Sequence, residues 1–190
     1  MISIERLFEL LSPRGVAIGA VVGGKGVFSK EDAMGVVAQV QGKYLVGVKV
    51  LEASICGDID AENLLINALA KQYEADFMAV AATALARLAV NEVCGSRVCT
   101  KCHGTKINYH RNGECLHCCG TGKMLNTVEQ LTKSFCDLCG TKITAEQFSQ
   151  HFYDLYMSGV DTLHQHQADA ERHAKRVLRL VAAEHEQVSE

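Results

Sequence analysis

The chain has 190 residues, 48% of them hydrophobic and none of them tryptophan, and carries a formal net charge of −3. That length supports one domain or two small ones with a real core, and the aliphatic, Ala-rich apolar set favours helices over an aromatic β-sandwich. No basic start followed by a cleavable apolar stretch opens the chain, and runs such as GVAIGAVVGG are too short to cross a bilayer. An intracellular, reducing setting without a membrane role is therefore expected, where nine cysteines point to metal or reactive thiols before disulfides.

Residues 1–11 predict a short amphipathic helix, closed by SPRG. The Gly-rich stretch 15–28 nearly spells a phosphate loop from Gly19 to Lys25, but Gly26 stands where a Ser or Thr hydroxyl is needed, so a flexible connector is the better reading. Ser29 and Asp32 have the spacing of a helix N-terminal cap, opening a helix to about Gln39. GKYLVGVKVLEAS fits either a strand or a helix. DAENLLINALAKQY predicts a helix capped by Asp60, with Leu64, Leu65, Ala68 and Leu69 on one face. In DFMAVAATALARLAVNEVC, Phe77, Val80, Ala81, Ala84, Leu85 and Leu88 recur at helical period, and the near-continuous apolarity marks a central core helix. NTVEQLTKSF and TAEQFSQHFYDLY predict two more helices. A long last helix over 161–186 places Leu163, Gln167, Ala170, Ala174, Val177 and Val181 on a seam suited to intramolecular packing.

Between these helices lies CTKCHGTKINYHRNGECLHCCGTG, with five of the nine cysteines. Cys99-x2-Cys102 and Cys115-x2-Cys118 are two pairs that can each grip one metal ion from a tight turn; together they close a four-sulfur tetrahedron of the kind zinc takes in structural sites. Gly104, Gly120 and Gly122 follow the pairs where the turning backbone needs freedom from a Cβ. Cys119 competes with Cys118 as the fourth ligand, and the repeat favours Cys118. A thiol–disulfide centre would need a strand–CxxC–helix setting that is absent here. Cys136-x2-Cys139 is only half a metal site, and His164 and His166 face different sides of a helix.

The charge is unevenly placed. Residues 94–142 carry seven Lys and Arg against three Asp and Glu, whereas residues 143–190 carry four against eight. A local basic patch on an acidic protein suits phosphate contact at one place. The segment from TVEQLTKSF through CDLCGTKI to TAEQFSQHFYDLY has the rhythm of a helix-turn-helix. It turns Phe148, Phe152 and Leu155 inward and leaves Gln147, Gln150 and His151 to meet base edges, with Lys133 and Lys142 near phosphates.

CTKCHGTK and ECLHCCGTGKM resemble the paired CxxCxGxG knuckles of the lambda-type Q antitermination proteins of lambdoid phages. The order around them is also similar: ICGDIDAENLLINALAKQY and an Ala-rich helix ending in NEVC before, then LTKSF, EQFSQHFYDLY and ADAERHAKRVL after. The resemblance covers Cys56 to Leu180 and departs at Lys106, where a second Gly is expected, and at Cys136 and Cys139. It implies a non-enzymatic, cytoplasmic transcription antitermination factor in a bacterial host. Such a factor binds double-stranded DNA at a phage late promoter and engages paused RNA polymerase with its sigma factor, with host elongation factors as further candidate partners. By the same resemblance Cys99, Cys102, Cys115 and Cys118 hold Zn2+; charge adds Lys101, Lys106, Arg111 and Lys123 as DNA-facing residues. The alternative is a zinc-dependent, chaperone-like peptide binder.

The expected fold is mainly α, a helical body with an inserted small four-cysteine zinc-binding knuckle and a helix-turn-helix-like DNA-binding region. Its expected parts are an N-terminal, partly flexible region over 1–56, core helices over 57–98, the knuckle over 99–125, and the helix pair with the long C-terminal helix over 126–190.

Overall fold

A computed structural model describes residues 3–11, 28–75, 77–95, 99, 101–105, 107–108, 113–118, 122–124 and 126–187. Among these residues the fold is mainly helical, with eight α-helices and one two-stranded hairpin. The chain forms two compact units: 1–68 with 160–190, and 69–159. Their boundaries fall inside two helices.

The first unit gathers α1 (Ile4–Leu11), α2 (Lys30–Gln41), α3 (Leu45–Leu51), the first ten residues of α4 (Ile59–Tyr73) and α8 (Tyr153–Gln187) from Val160 onward. Ser29 and Asp32 form the expected reciprocal cap of α2: Asp32 N donates to Ser29 Oγ at 3.1 Å and Ser29 N to Asp32 Oδ2 at 2.8 Å. The segment that fits strand or helix by pattern is helical. It continues past α3 as one π turn, Glu52–Cys56, ended by Gly57 in the left-handed region. Asp58, not Asp60, caps α4; its Oδ1 accepts from the amides of Asp60 and Ala61 at 2.9 and 3.2 Å. The buried face of α4 is Ala61, Leu65, Ile66, Leu69, Ala70 and Tyr73, while Leu64 and Ala68 are exposed. On α8 the expected seam is inward: Ala170, Ala174 and Val177 join Leu7, Phe8, Val36, Val40, Val48 and Leu51 in one core. The near-phosphate loop at Gly19–Lys25 lies outside the described residues.

Helix α3 crosses α8 at Gly47, where an added Cβ would sit 2.7 Å from Ala170 Cβ and against the His166 carbonyl. Only a residue without a Cβ lets these backbones approach so closely.

The second unit holds α5 (Ala79–Cys94), the hairpin of β1 (Ile107–Asn108) and β2 (Gly113–Glu114), α6 (Val128–Cys139), α7 (Ala145–His151) and the start of α8. Helix α5 buries Ala82, Leu85, Ala86, Leu88, Ala89, Val90 and Val93, as its apolar circumference predicts; its N-terminal Val80 is nevertheless exposed. Thr127 and Thr144 open α6 and α7 with the same reciprocal cap seen at Ser29, through Gln130 and Gln147. Phe135 and Phe148 close the α6–α7 corner with ring centroids 5.5 Å apart, and Phe152 lies 4.8 Å from Phe135 and 5.2 Å from Phe77. Such tilted and edge-on pairs add about 0.5–1.5 kcal/mol each beyond burial. Buried Tyr73 donates its hydroxyl to Leu155 O at 3.1 Å, and burial pushes its pKa up to about 12.

Gly47→Ala is expected to destabilise the protein by ~1–3 kcal/mol through overpacking. Gly35→Ala is expected to be neutral or to stabilise by ~0.4–1 kcal/mol, since Gly35 is on α2 with nothing within 4 Å of its Cβ position. Urea unfolding of the two variants measures the contrast.

Candidate metal centre

The four sulfur atoms of Cys99, Cys102, Cys115 and Cys118 lie within 4.8 Å of one another, and all four residues are buried. Cys99 Sγ is 4.0 Å from Cys115 Sγ, and Cys102 Sγ is 3.7 Å from Cys118 Sγ. These are non-bonded distances, far beyond the ~2.05 Å of a disulfide. A tetrahedron of thiolates around a metal at ~2.3 Å, the length of a zinc–sulfur bond, has edges of about 3.8 Å. The cluster therefore fits a single tetrahedral ion.

The backbone is folded to make this possible. After the first pair, His103 (φ 48°) and Gly104 (φ 82°) take left-handed conformations, reversing the chain as His103 N donates to Cys99 O at 2.8 Å. After the second pair, Gly122 (φ 77°) turns its amide onto Cys118 Sγ at 3.2 Å. A Cβ at Gly122 would strain that turn and move the amide off the sulfur. Cys99 N donates to Gly122 O at 2.8 Å, so the first and second turns are tied directly to each other. Strands β1 and β2 pair antiparallel, Ile107 with Glu114 and Asn108 with Gly113, and connect the two cysteine pairs. Gly120, Cys119, Lys106 and Arg111 lie outside the described residues.

Burial pushes the Cys118 thiol pKa up, but the Gly122 amide and the sulfurs of Cys102, Cys115 and Cys99 outweigh it and bring it down to about 7. Its thiolate is thus favoured in the folded protein. The resulting stabilisation is complete above the unfolded value of ~8.5 and is lost as pH falls through about 7.

Two further contacts join this loop to the helices of its unit. Lys123 Nζ donates to Val93 O at 2.9 Å in the last turn of α5. The Glu92 carboxylate accepts from Asn126 N at 3.3 Å and from the Asn126 side-chain amide, immediately before the Thr127 cap of α6. Neither contact is visible in the sequence, because the partners stand some thirty residues apart without a motif.

The remaining metal candidates do not gather. Cys136 and Cys139 lie in the last turn of α6 rather than in a loop; Cys136 Sγ accepts from Ile143 N at 3.5 Å and Cys139 Sγ donates to Val80 O at 3.9 Å. Burial, then the neighbouring Cys136, raises the Cys139 pKa, which is the opposite of an activated thiol. Cys56 donates to Phe8 O at 3.5 Å, and neither it nor Cys94 completes a site. Among the described residues the four-cysteine group is the one cluster of metal-ligating side chains, and His164 and His166 belong to none.

The DNA-facing candidates are scattered more widely than the cysteines. Lys101, Lys133, Lys142, Gln150 and His151 are exposed, on the first knuckle, α6, the α6–α7 connection and the end of α7. Lys123 is engaged with Val93 as described. Gln147 is committed locally: its Oε1 accepts from Thr144 N at 2.9 Å as the N3 residue of the α7 cap. Helix α7 has only seven residues before the break at Phe152, so Gln150 and His151 sit at its C-terminal end rather than early in a longer helix.

Because thiols must lose protons to bind a metal, each proton released lowers the affinity about tenfold per pH unit on acidification. Metal release to a chromophoric chelator is expected to accelerate as pH falls below 7, and Cys115→Ser is expected to lose most bound metal at every pH.

No curated protein matches the chain. The family described as conserved hypothetical protein CHP02642 matches it in two overlapping stretches, residues 1–98 and 95–183. With nearly its whole length covered, the chain belongs to that family.

Proposed function

We propose that the four cysteines hold one structural zinc ion and that the protein binds duplex DNA through the zinc-held loop and the α6–α7 pair, acting as a transcription antitermination factor on paused RNA polymerase. The observation that carries the first step is the closed shell of four buried sulfurs. A metal so enclosed has no position left for substrate or water, so its work is to hold a loop in shape. All-sulfur tetrahedral donors suit zinc, which has no redox chemistry of its own.

The DNA step is supported by charge and exposure. The stretch 94–142 carries seven basic residues against three acidic ones. Lys101, Lys133 and Lys142 are exposed around the knuckle and the α6–α7 connection, as phosphate contacts need to be. Gln150 and His151 are exposed on α7 and are the side chains proposed for base edges, while Gln147 contributes by fixing the start of the helix. The action on polymerase rests on the resemblance to lambda-type Q antitermination proteins in the order of knuckle and helices.

Duplex binding is expected to be lost when zinc is removed by chelation and restored when it is returned. Lys101→Glu is expected to weaken binding and to flatten the dependence of log K on log salt by ~0.9. Lys123→Met is expected instead to lower the melting temperature, because it removes a bond to the end of α5. In vitro transcription from a phage late promoter through a terminator is expected to show read-through only with the zinc-loaded protein. Full-strength duplex binding by the metal-free protein overturns the DNA role of the knuckle, and unaltered termination overturns the role on polymerase.

A further inference from the structure

The exposed side of α8 is divided by charge. From Tyr153 to Glu171 the helix carries Asp154, Asp161, Asp169 and Glu171 and neither Lys nor Arg. From Arg172 to Ala183 it carries Arg172, Lys175, Arg176 and Arg179 and neither Asp nor Glu. All four basic residues are exposed. At 3.6 residues per turn they fall within an arc of about 100°. That arc lies opposite Ala170, Ala174, Val177 and Leu178, which are buried in the core of the first unit.

Local pairing leaves part of this ridge uncommitted. Arg172 pairs with Asp169, and Lys175 Nζ lies 3.6 Å from Glu171. Among the described residues no carboxylate is within ion-pair distance of Arg176 or Arg179. Like charges three and four residues apart on a helix repel, so the ridge weakens its own helix. Favourable interaction with the helix C-terminus is confined to the last turn, and Arg179 already stands eight residues before Gln187. One edge of the ridge is extended by a neighbouring turn. The His173 ring lies 5.2 Å from the Tyr44 ring, and Lys43 Nζ sits 5.5 Å from the Tyr44 centroid.

Anionic lipid headgroups also attract polybasic segments, but most of the apolar face of this segment is buried in the core, leaving Leu180 as its exposed apolar side chain. A row of guanidinium and ammonium groups matches the regular phosphates of a nucleic-acid backbone, for which the planar arginine fork is well shaped. We propose that Arg172, Lys175, Arg176 and Arg179 form a second phosphate-contacting ridge, on the unit that lacks the cysteine cluster, and that its ligand is the backbone of duplex DNA. The proposal rests on the DNA-binding reading above.

The test is fluorescence anisotropy of the full-length, zinc-loaded protein with a labelled mixed-sequence DNA duplex over a range of salt concentrations. Arg176→Gln with Arg179→Gln is expected to flatten the slope of log K against log salt by ~1.8 without lowering the melting temperature, and Arg176→Lys with Arg179→Lys to leave the slope intact. An unchanged slope in the glutamine pair, with wild-type binding intact, overturns the ridge and leaves the knuckle reading standing. Absence of wild-type binding even at low salt overturns that reading and the ridge with it. An unchanged DNA slope, with loss in the glutamine pair of binding to phosphatidylcholine–phosphatidylglycerol vesicles, makes the ridge a membrane contact and overturns the proposal.

Discussion

Four sulfur atoms within 4.8 Å of one another are the constraint on which the middle of this chain depends. Among the described residues of the knuckle the buried cluster is the four cysteines, with Met124 half-buried against them. A segment so short and polar cannot offset the entropy of ordering its backbone. A metal bound by four thiolates can, since structural zinc contributes about 10–16 kcal/mol in peptides of this size. Left-handed His103, Gly104 and Gly122 and the link from Cys99 to Gly122 are the backbone's side of the same arrangement, bringing the sulfurs of both pairs to one point.

The knuckle matters beyond itself because of how it is attached. It leaves α5 and enters α6, and both junctions are held: Lys123 on the last carbonyls of α5, Glu92 on the approach to the Thr127 cap. Helix α6 is in turn locked to α7 by the Phe135, Phe148 and Phe152 rings. Within one compact unit, then, the basic loop and the exposed residues of the α6–α7 connection are carried on a common frame. A charged loop meets a polyanion usefully only if its charges are held in place before the encounter, since ordering them afterwards costs affinity.

Features fixed by short spacing were legible in the sequence. Two CxxC pairs announce their own geometry, and Ser29 with Asp32 or Thr144 with Gln147 announce a helix start, because in each case the interacting atoms are a few residues apart. The apolar period of α8 likewise predicts its buried face, and that of α5 does so for Ala84, Leu85 and Leu88 but not for Val80, which is exposed. Where a long-range partner decides, the sequence misleads. Leu64 has the right period for a core face but is exposed, because the face of α4 that packs inward is the one carrying Leu65, Ile66, Leu69 and Ala70. Cys136 and Cys139 look like half a metal site, yet their helix simply continues to Gly140. The bond from Lys123 to Val93 O carries no signal in the sequence, because thirty residues separate the two. Summing charge over 143–190 gives an acidic segment and conceals the run Arg172, Lys175, Arg176 and Arg179 along α8.

The centre of this description is one ion with four sulfur neighbours, and X-ray absorption at the zinc edge on freshly purified protein examines it most directly. Four sulfur scatterers at ~2.3 Å, one zinc per chain and no light-atom neighbour in the coordination shell are the expected result. A chain free of zinc, or a shell in which nitrogen or oxygen replaces sulfur, would contradict it.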